Sequence, residues 1–291
     1  MSVCKISVAI PTYKRQELLL QTLERIMSCD PAPEEIIVHV DGGDETTGEA
    51  VAGAFPQVNV IKSDVRVGPG GGRNKILARA ANSIVASFDD DSYPIDKDYF
   101  KRLLLVFAAF PEAAVIDSNI FIKGECVEPD TRTAQWVSGF TGCGCAYRRD
   151  VFNETSGYVS LPVAYGMEEV DLAIRLHANG WRILKSSWLR VMHDTSLEHH
   201  NSPKITSGSI ANQALLMFLR YPLTCWWIGL AQVANRILWL IKNKRTKGII
   251  KGVCLIPVII WRHKKHRRIV APIFLRSYLR LRRQPVEAPP F

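Results

Sequence analysis

The 291-residue chain has no paired-cysteine motif, and its first residues are not those expected of an export signal. Its seven cysteines form no CxxC pair, and Cys143 and Cys145 lie too close together for a zinc knuckle. The first residues, MSVCKISVAIPTYKR, become polar too soon for a signal peptide. We therefore expect reduced, mostly buried thiols and a protein that stays in the cytoplasm.

The sequence also lacks the motifs of several enzyme classes. It has no GxSxG elbow, and no cysteine has a convincing histidine partner, so a protein nucleophile is not expected. The run GPGGGRN fails the dinucleotide fingerprint because Arg73 stands where the last glycine is required, and it lacks the end of a phosphate-binding loop. A flexible loop that opens a helix and carries an arginine suits a diphosphate or a ribose, with a plain surface loop as the alternative.

Acidic residues nearly vanish toward the C-terminus. Residues 220–291 carry 16 Lys and Arg against the single acid Glu287, whereas residues 1–219 carry 21 against 27 acids. The net charge of +9 therefore combines an acidic body with a strongly basic tail. We predict a catalytic domain over 1–200 and a helical, basic, membrane-associating region over 201–291.

Two apolar stretches interrupt the basic tail, at 222–241 and 248–261. The first is long enough to span a bilayer, but Gln232, Asn235 and Arg236 fall on one helical stripe opposite tryptophans and aliphatic residues. This pattern favours a helix that lies in the membrane interface, and the neighbouring basic clusters favour anionic lipids. Nucleic acid is not the expected partner because no nucleic-acid-binding motif is present, and an ordinary helical cap remains the alternative.

Strand and helix patterns alternate through the first two hundred residues. Apolar runs predict four early strands, at 5–10, 35–40, 58–63 and 83–91. A helix is predicted over 73–82 and one glycine-rich strand within 136–148. This order predicts an α/β fold with a mainly parallel sheet between helices, whose ligands bind beyond the carboxyl ends of the strands.

Acidic residues gather at two points of this pattern. Asp89, Asp90 and Asp91 directly follow a predicted strand, and adjacent carboxylates repel one another unless a cation is present. Divalent ions such as Mg²⁺ bind a few carboxylates together with substrate phosphates, and His193 after a later strand could add a ligand. Glu168 and its neighbour, Glu169, open a predicted helix, where they either complement its dipole or supply a general base. A solvated acidic turn and a structural histidine are the simpler alternatives.

The ordered set of motifs resembles the family 2 inverting glycosyltransferases of the GT-A fold, of the bacterial polysaccharide and lipopolysaccharide type. The matching segments lie within residues 5–195 and are VAIPTYKR, VDGG, GGRN, FDDDSYP, GCGCAYRRDVF, EEVDLAIRL and MHDTS. The resemblance implies metal-dependent, inverting transfer from a nucleotide-sugar donor to a saccharide acceptor. Together with the basic tail, it implies a lipid-linked acceptor in cell-surface glycan biosynthesis, at the inner face of the cell membrane.

The resemblance also implies roles for individual residues. Nine would contact the donor, namely Pro11, Thr12, Tyr13, Arg15, Asp41, Arg73, Asn74, Asp89 and Asp90. A divalent ion, Mg²⁺ or Mn²⁺, would be held by Asp89, Asp91 and His193. The base would be the second acid of a pair, Glu169, with Glu168 as the alternative because many members have Asp at the second position.

Two other functions fit parts of this pattern. A sugar-nucleotide nucleotidyltransferase would have a related sheet and an acidic metal site, but it is expected to carry a basic glycine-rich signature where this chain has PTYKR. A non-catalytic membrane- or nucleic-acid-binding module with a decayed site is disfavoured by the full set of acids and His193.

Overall fold

The computed structural model describes residues 3–161, 163, 167–195 and 202–291. Its strands are β1 (Val3–Thr12), β2 (Ala32–Val40), β3 (Asn59–Lys62), β4 (Ile84–Phe88), β5 (Ser92–Pro94), β6 (Ala113–Ile122), β7 (Ala134–Val137), β8 (Gly144–Arg148), β9 (Arg182–His193) and β10 (Val286–Glu287). Its α-helices are α1 (Gln16–Met27), α2 (Thr47–Ala54), α3 (Gly68–Leu77), α4 (Tyr99–Ala109), α5 (Arg149–Asn153), α6 (Glu168–Ala178), α7 (Pro203–Arg220), α8 (Trp226–Lys242), α9 (Ile249–His263) and α10 (Pro272–Arg283).

The strands form one sheet in the order β10-β7-β9-β6-β8-β4-β1-β2-β3, and β5 pairs with β9 outside this order. The part β4-β1-β2-β3 is parallel throughout, as the βαβ pattern predicts. On the other side of β4, the strand β8 runs antiparallel to both β4 and β6. The carboxyl ends of β1, β2 and β4 therefore meet at one edge of the sheet, which is where the sequence predicts the ligand site.

Alternate side chains of β1 enter two hydrophobic cores, one on each face of the sheet. Val8 and Ile10 pack in the core that contains Leu23 of α1, whereas Ala9 packs in the core that contains Ile76 of α3. This two-sided burial explains why β1 reads as a continuous apolar run rather than an alternating one.

The glycine-rich segment is part of a helix and not the loop predicted from its composition. Helix α3 begins at Gly68, where φ is +74°, and ends at Leu77 rather than at residue 82. A Cβ atom at Gly70 would lie 2.5 Å from Glu168 Oε2, and one at Gly72 would lie 2.6 Å from His39 Nδ1. The glycines are therefore needed for close packing in the folded chain, which local propensity does not reveal.

The predicted strand within 136–148 is also corrected, because it forms two separate strands. β7 ends at Val137 and pairs with β9, whereas β8 begins at Gly144 and pairs with β4. The turn between them brings Gly142 and Cys143 to the edge of the sheet where β4 ends. All seven cysteines are free, and Cys126 and Cys254 are the two exposed ones, so most thiols are buried as expected.

Helix α7 is anchored to α6 by a buried ion pair. Arg220 is fully buried, and its guanidinium donates to both carboxylate oxygens of Asp171, with 3.1 Å between Nη2 and Oδ2. Arg175 donates to the same carboxylate, and Arg220 Nη1 donates to the carbonyl of His266 at 2.9 Å. The helix that begins with Glu168 is thus held by the C-terminal region. The predicted domain boundary at 200 lies outside the described residues.

Within the described part of the chain, no helix combines the length and the apolarity needed to span a membrane. In α8 two residues of the predicted polar stripe contact the protein, because Gln232 accepts a hydrogen bond from Tyr221 at 2.9 Å and Arg236 Nε donates to Ser209 at 3.1 Å, whereas Asn235 is exposed. Several apolar side chains of α8 are directed outward, as Trp227 shows with 69% of its surface exposed, while Leu240 is buried.

Candidate active site

A cavity of about 230 Å³ opens where β1, β2 and β4 end. Seven of the nine predicted donor residues line it: Pro11, Thr12, Tyr13, Arg15, Asp41, Asp89 and Asp90. His39, Arg66, Gly68 and Pro69 complete the lining. The residues at the ends of β1, β2 and β4 are separated in the sequence, but in the folded chain they line one cavity.

Arg15 neutralises part of the aspartate cluster. Its guanidinium lies 2.7 Å from Asp90 Oδ1 and 2.5 Å from Asp91 Oδ2, and Thr12 Oγ1 donates to Asp90 Oδ2 at 2.8 Å. Burial nevertheless raises the pKa of Asp90 to about 7, against the lowering effect of Arg15. The buried carboxyl group of Asp90 therefore ionises less readily than an exposed aspartate, even with this arginine in place.

His193 faces the aspartates because β5 pairs with β9, which places Ser92 opposite His193. The Nε2 atom of His193 lies 3.1 Å from Asp91 Oδ1, and Nδ1 lies 3.7 Å from Cys143 Sγ. Burial alone would lower the pKa of His193. The hydrogen bond to Asp91 and the negative charge of that carboxylate raise the pKa, and the net effect is an increase. Asp91 shows the converse: burial would raise its pKa, but His193 and Arg15 lower it.

Three side chains at this point have the geometry to share a metal ion. One ligand atom each from Asp89, Cys143 and His193 lies within 4.8 Å of the others. A histidine that binds metal through one ring nitrogen commonly bonds a carboxylate through the other, and Asp91 supplies that carboxylate. The residues present therefore fit a divalent ion. They differ from the predicted set in adding Cys143 and in placing Asp91 against Arg15 and His193.

Arg73 does not line the cavity but holds the residues around it. It is 3% exposed, and its Nη2 atom lies 2.5 Å from Asp89 Oδ1 and 3.0 Å from the carbonyl oxygen of Gly142. Its Nε donates to Ser87 on β4 at 2.8 Å. Arg73 thus connects α3, β4 and the turn before β8.

Asn74 is not among the residues that line the cavity. Its amide nitrogen donates to the carbonyl of Tyr158 at 2.9 Å, and its oxygen accepts from the backbone N–H of Tyr158 at 2.8 Å. These bonds hold the turn at Gly157, and the contact between Asn74 and the donor stays a prediction.

Asp41 and Arg66 shape the opposite end of the cavity. Asp41 accepts backbone hydrogen bonds from Val67 at 2.8 Å and Gly68 at 3.1 Å, which fixes the turn that leads into α3. The guanidinium of Arg66 lies 3.8 Å from the centre of the Tyr13 ring. Arg66 was missed in the sequence, where it is one basic residue before a glycine-rich run and carries no pattern of its own.

His39 was missed as well, although it is a polar residue inside the apolar run EIIVHV. It is buried at the cavity wall, and its Nε2 atom lies 2.6 Å from Ser63 Oγ. Burial lowers the pKa of His39, which keeps the imidazole neutral near pH 7.

The two glutamates at the start of α6 have different surroundings. Glu168 is 1% exposed, its carboxylate packs against Gly70 of α3, and its Oε1 atom has no hydrogen-bond partner among the described residues. Burial, with the adjacent charge of Glu169, raises the pKa of Glu168 to about 8. Glu168 therefore belongs to the packed interface between α6 and α3.

Glu169 is partly buried. A Cβ atom built on Gly142 would lie 2.9 Å from Glu169 Oε1 and 3.0 Å from the guanidinium of Arg73, which contacts Asp89. Burial raises the pKa of Glu169, the positive charge of Arg73 lowers it, and Asp89 raises it. These couplings place Glu169, rather than Glu168, beside the candidate metal ligands.

Comparison with known proteins gives consistent matches. Residues 7–156 match the family model described as Glycosyl transferase family 2. A relative from Haloferax volcanii, named glucosyl-dolichyl phosphate glucuronosyltransferase, is 23% identical over 65% of this chain and 69% of its own length.

Solved structures with the same fold share little sequence identity with this chain. Mannosyltransferase PcManGT from Pyrobaculum calidifontis, in complex with GDP-Man and Mn²⁺, aligns with a TM-score of 0.58 at 14% identity, over 96% of this chain and 87% of that one. GalNAc-T7 with UDP, GalNAc and Mn²⁺ aligns with a TM-score of 0.61 at 14% identity, over 75% of this chain. The match spans about half, 48%, of the GalNAc-T7 chain. These likenesses establish the GT-A fold.

The surroundings of Glu168 predict a pH-dependent gain in stability from Glu168→Gln. The folded-state pKa of about 8 lies above the ordinary value of 4.5, so ionisation of Glu168 costs stability as the pH rises between these values. Thermal unfolding measured from pH 5 to pH 9 should show that the stability of the variant, relative to the parent protein, increases as the pH rises toward 8. Glu154→Gln, at an exposed site, is the control and should show no such trend. A constant difference between Glu168→Gln and the parent would contradict the assignment.

Proposed function

This chain belongs to glycosyl transferase family 2, and on that premise we propose that it moves a sugar from a nucleotide-diphosphate donor to a saccharide hydroxyl with inversion. The observation that carries the proposal is the convergence of Asp89, His193 and Glu169 beside one cavity at the strand ends. A charged leaving group and an acceptor hydroxyl need this combination of a cation site and a base.

The cavity offers two chemically different ends for the donor. Tyr13 and Arg66 provide flat surfaces suited to a nucleobase, and Thr12 and Asp41 provide polar atoms near a ribose. The aspartate end suits the diphosphate once a cation is present. We therefore assign the nucleoside to the Tyr13 end and the diphosphate to the Asp89 end.

Asp89 and His193 would hold the divalent ion, with Asp91 and Cys143 within reach. Such an ion, Mg²⁺ or Mn²⁺, stabilises the negative charge that develops on the leaving diphosphate. Arg73 keeps Asp89 in place, and Asp91 orients the imidazole of His193. The Mn²⁺ in two structural neighbours supports this choice of cofactor.

Glu169 would act as the general base. It removes the proton from the acceptor hydroxyl while that oxygen bonds to the anomeric carbon and the bond from this carbon to the diphosphate oxygen breaks. The positive charge of Arg73 favours the ionised carboxylate that this step requires. No covalent intermediate is needed, so a single displacement inverts the configuration.

Substitution of the two glutamates tests this assignment. Glu169→Gln should reduce transfer by about 10²–10⁴-fold because the base is lost. Glu168→Gln is the matched control and should retain most of the activity. Turnover is measured as nucleoside diphosphate released from a panel of nucleotide sugars with membrane-extracted acceptors. Unchanged turnover in Glu169→Gln would contradict the role of this residue.

We also propose that the C-terminal region binds the inner face of the cell membrane, where a lipid-linked acceptor is presented. The outward faces of the last three helices expose large apolar side chains: Trp227, Leu230 and Leu238 of α8, Ile250 and Trp261 of α9, and Ile273 of α10. Lysines and arginines surround them, a combination suited to an anionic lipid surface. The dolichyl phosphate in the name of the Haloferax relative supports a lipid-linked acceptor.

The exposed face of α8 provides the test of membrane binding. Trp227→Ser combined with Leu230→Ser removes two side chains that are 69% and 57% exposed, so folding should be preserved and vesicle binding reduced. Co-sedimentation with phosphatidylglycerol vesicles measures the change. Leu105→Ser, at a 49% exposed position on α4, is the control and should bind as the parent does. Equal binding by the double variant would contradict a membrane role for α8.

A further inference from the structure

A second cavity, of about 460 Å³, lies beside the donor cavity. Its walls come from the segment around Leu161, from α7 at Ala211 and from α9 at Val258 and Ile259. It is predominantly apolar, and its lining includes neither the aspartates at 89–91 nor the glutamates at 168 and 169. The roles assigned above leave this cavity without a function.

The two cavities adjoin each other. Arg66 lines both of them, and Val67 and Gly68, adjacent in sequence, line the second and the first respectively. Leu161 lines the second cavity, and its carbonyl oxygen would lie 2.4 Å from a Cβ atom at Gly68, two residues before the glycine that packs against Glu168. The second cavity therefore borders both the Arg66 end of the donor cavity and the start of α6, the helix that carries Glu169.

The charged groups of the second cavity all have the same sign. Arg66 and Arg262 line it together with His263, and its described lining includes no Asp or Glu, although Arg66 Nε lies 3.8 Å from Asp41 Oδ2 in the donor cavity. Burial lowers the pKa of His263, and the nearby charges of His266, Arg262 and Lys265 lower it further, so the two arginines are the cations of this lining near pH 7. The cavity thus pairs an apolar interior with an anion-attracting rim.

The apolar wall continues to the protein surface. Val258 is 41% exposed, and on the same helix Trp261 is 68% exposed. This is the surface that we assign to the membrane, so helix α9 contributes both to the cavity wall and to the membrane-facing surface.

We propose that this cavity binds the lipid phosphate end of the acceptor, with the first isoprenoid units against α7 and α9 and the phosphate or diphosphate between Arg66 and Arg262. This inference rests on the proposed function, because it names the part of the acceptor that the enzyme holds. The sugar attached to the phosphate would then extend past Arg66, which lines both cavities, toward Glu169.

Binding of farnesyl diphosphate, a short isoprenoid diphosphate, tests the proposal without catalysis. Isothermal titration should show binding that inorganic diphosphate does not match, because the apolar chain contributes. Arg262→Gln should weaken it by about tenfold or more through loss of a charged contact. Ala211→Trp, which fills the cavity, should also weaken it. The matched controls are Lys251→Gln and Ala231→Trp, both at exposed positions, and they should bind as the parent does.

Three results would overturn the proposal. The first is equal binding of farnesyl diphosphate and inorganic diphosphate, and the second is unchanged binding of farnesyl diphosphate in both cavity variants. The third is full displacement of farnesyl diphosphate by phosphatidylglycerol, because it would identify a site for bulk lipid. Nucleoside diphosphate binding, measured on the same variants, reports on the donor site separately. If the parent protein bound no nucleoside diphosphate, that result would count against the transferase assignment and not against the role proposed for this cavity.

Discussion

Three consecutive carboxylates at the end of β4 repel one another, and the folded chain surrounds them with groups that offset this repulsion. Arg15 comes from the loop after β1, Arg73 from α3 and His193 from the end of β9, so three separate parts of the chain converge on residues 89–91. Burial still raises the pKa of Asp90 to about 7 despite these partners. This convergence of charged groups at the end of β4 is the basis of the donor and metal site that we propose.

Glu168 and Glu169 are neighbours in the sequence, but the close approach of α3 and α6 gives their carboxylates different surroundings. Because Gly70 has no side chain, the carboxylate of Glu168 packs directly against α3, and the resulting burial raises its pKa to about 8. Glu169, one residue later on the helix, points to the turn at Gly142 instead. The C-terminal helices take part in this arrangement, because Arg220 on α7 holds Asp171 on the same helix as both glutamates.

Much of the fold and part of the site could be predicted because they depend on local patterns. Buried parallel strands read as apolar runs, and the polar residues that end them, such as Asp41 and Asp89, had to meet at one edge of the sheet. The helical state of GPGGGRN could not be predicted, because tertiary packing against Glu168 and His39 overrides the low helix propensity of glycine. Arg66, His39 and Cys143 were missed for a related reason: each is a single residue whose role exists only through contacts distant in sequence. The structural role of Asn74 likewise depends on a turn 84 residues away.

Thermal stability against nucleotides, with and without Mn²⁺, tests the central claim most directly. A ligand that binds only the folded state raises stability by RT ln(1 + [L]/Kd). With UDP, GDP, dTDP and CMP as the panel, the account predicts a rise with one nucleoside diphosphate that requires Mn²⁺ and is lost in Asp89→Asn. The absence of any rise with folded protein, or a rise that is independent of both Mn²⁺ and Asp89, would contradict a metal-dependent donor site at the end of β4.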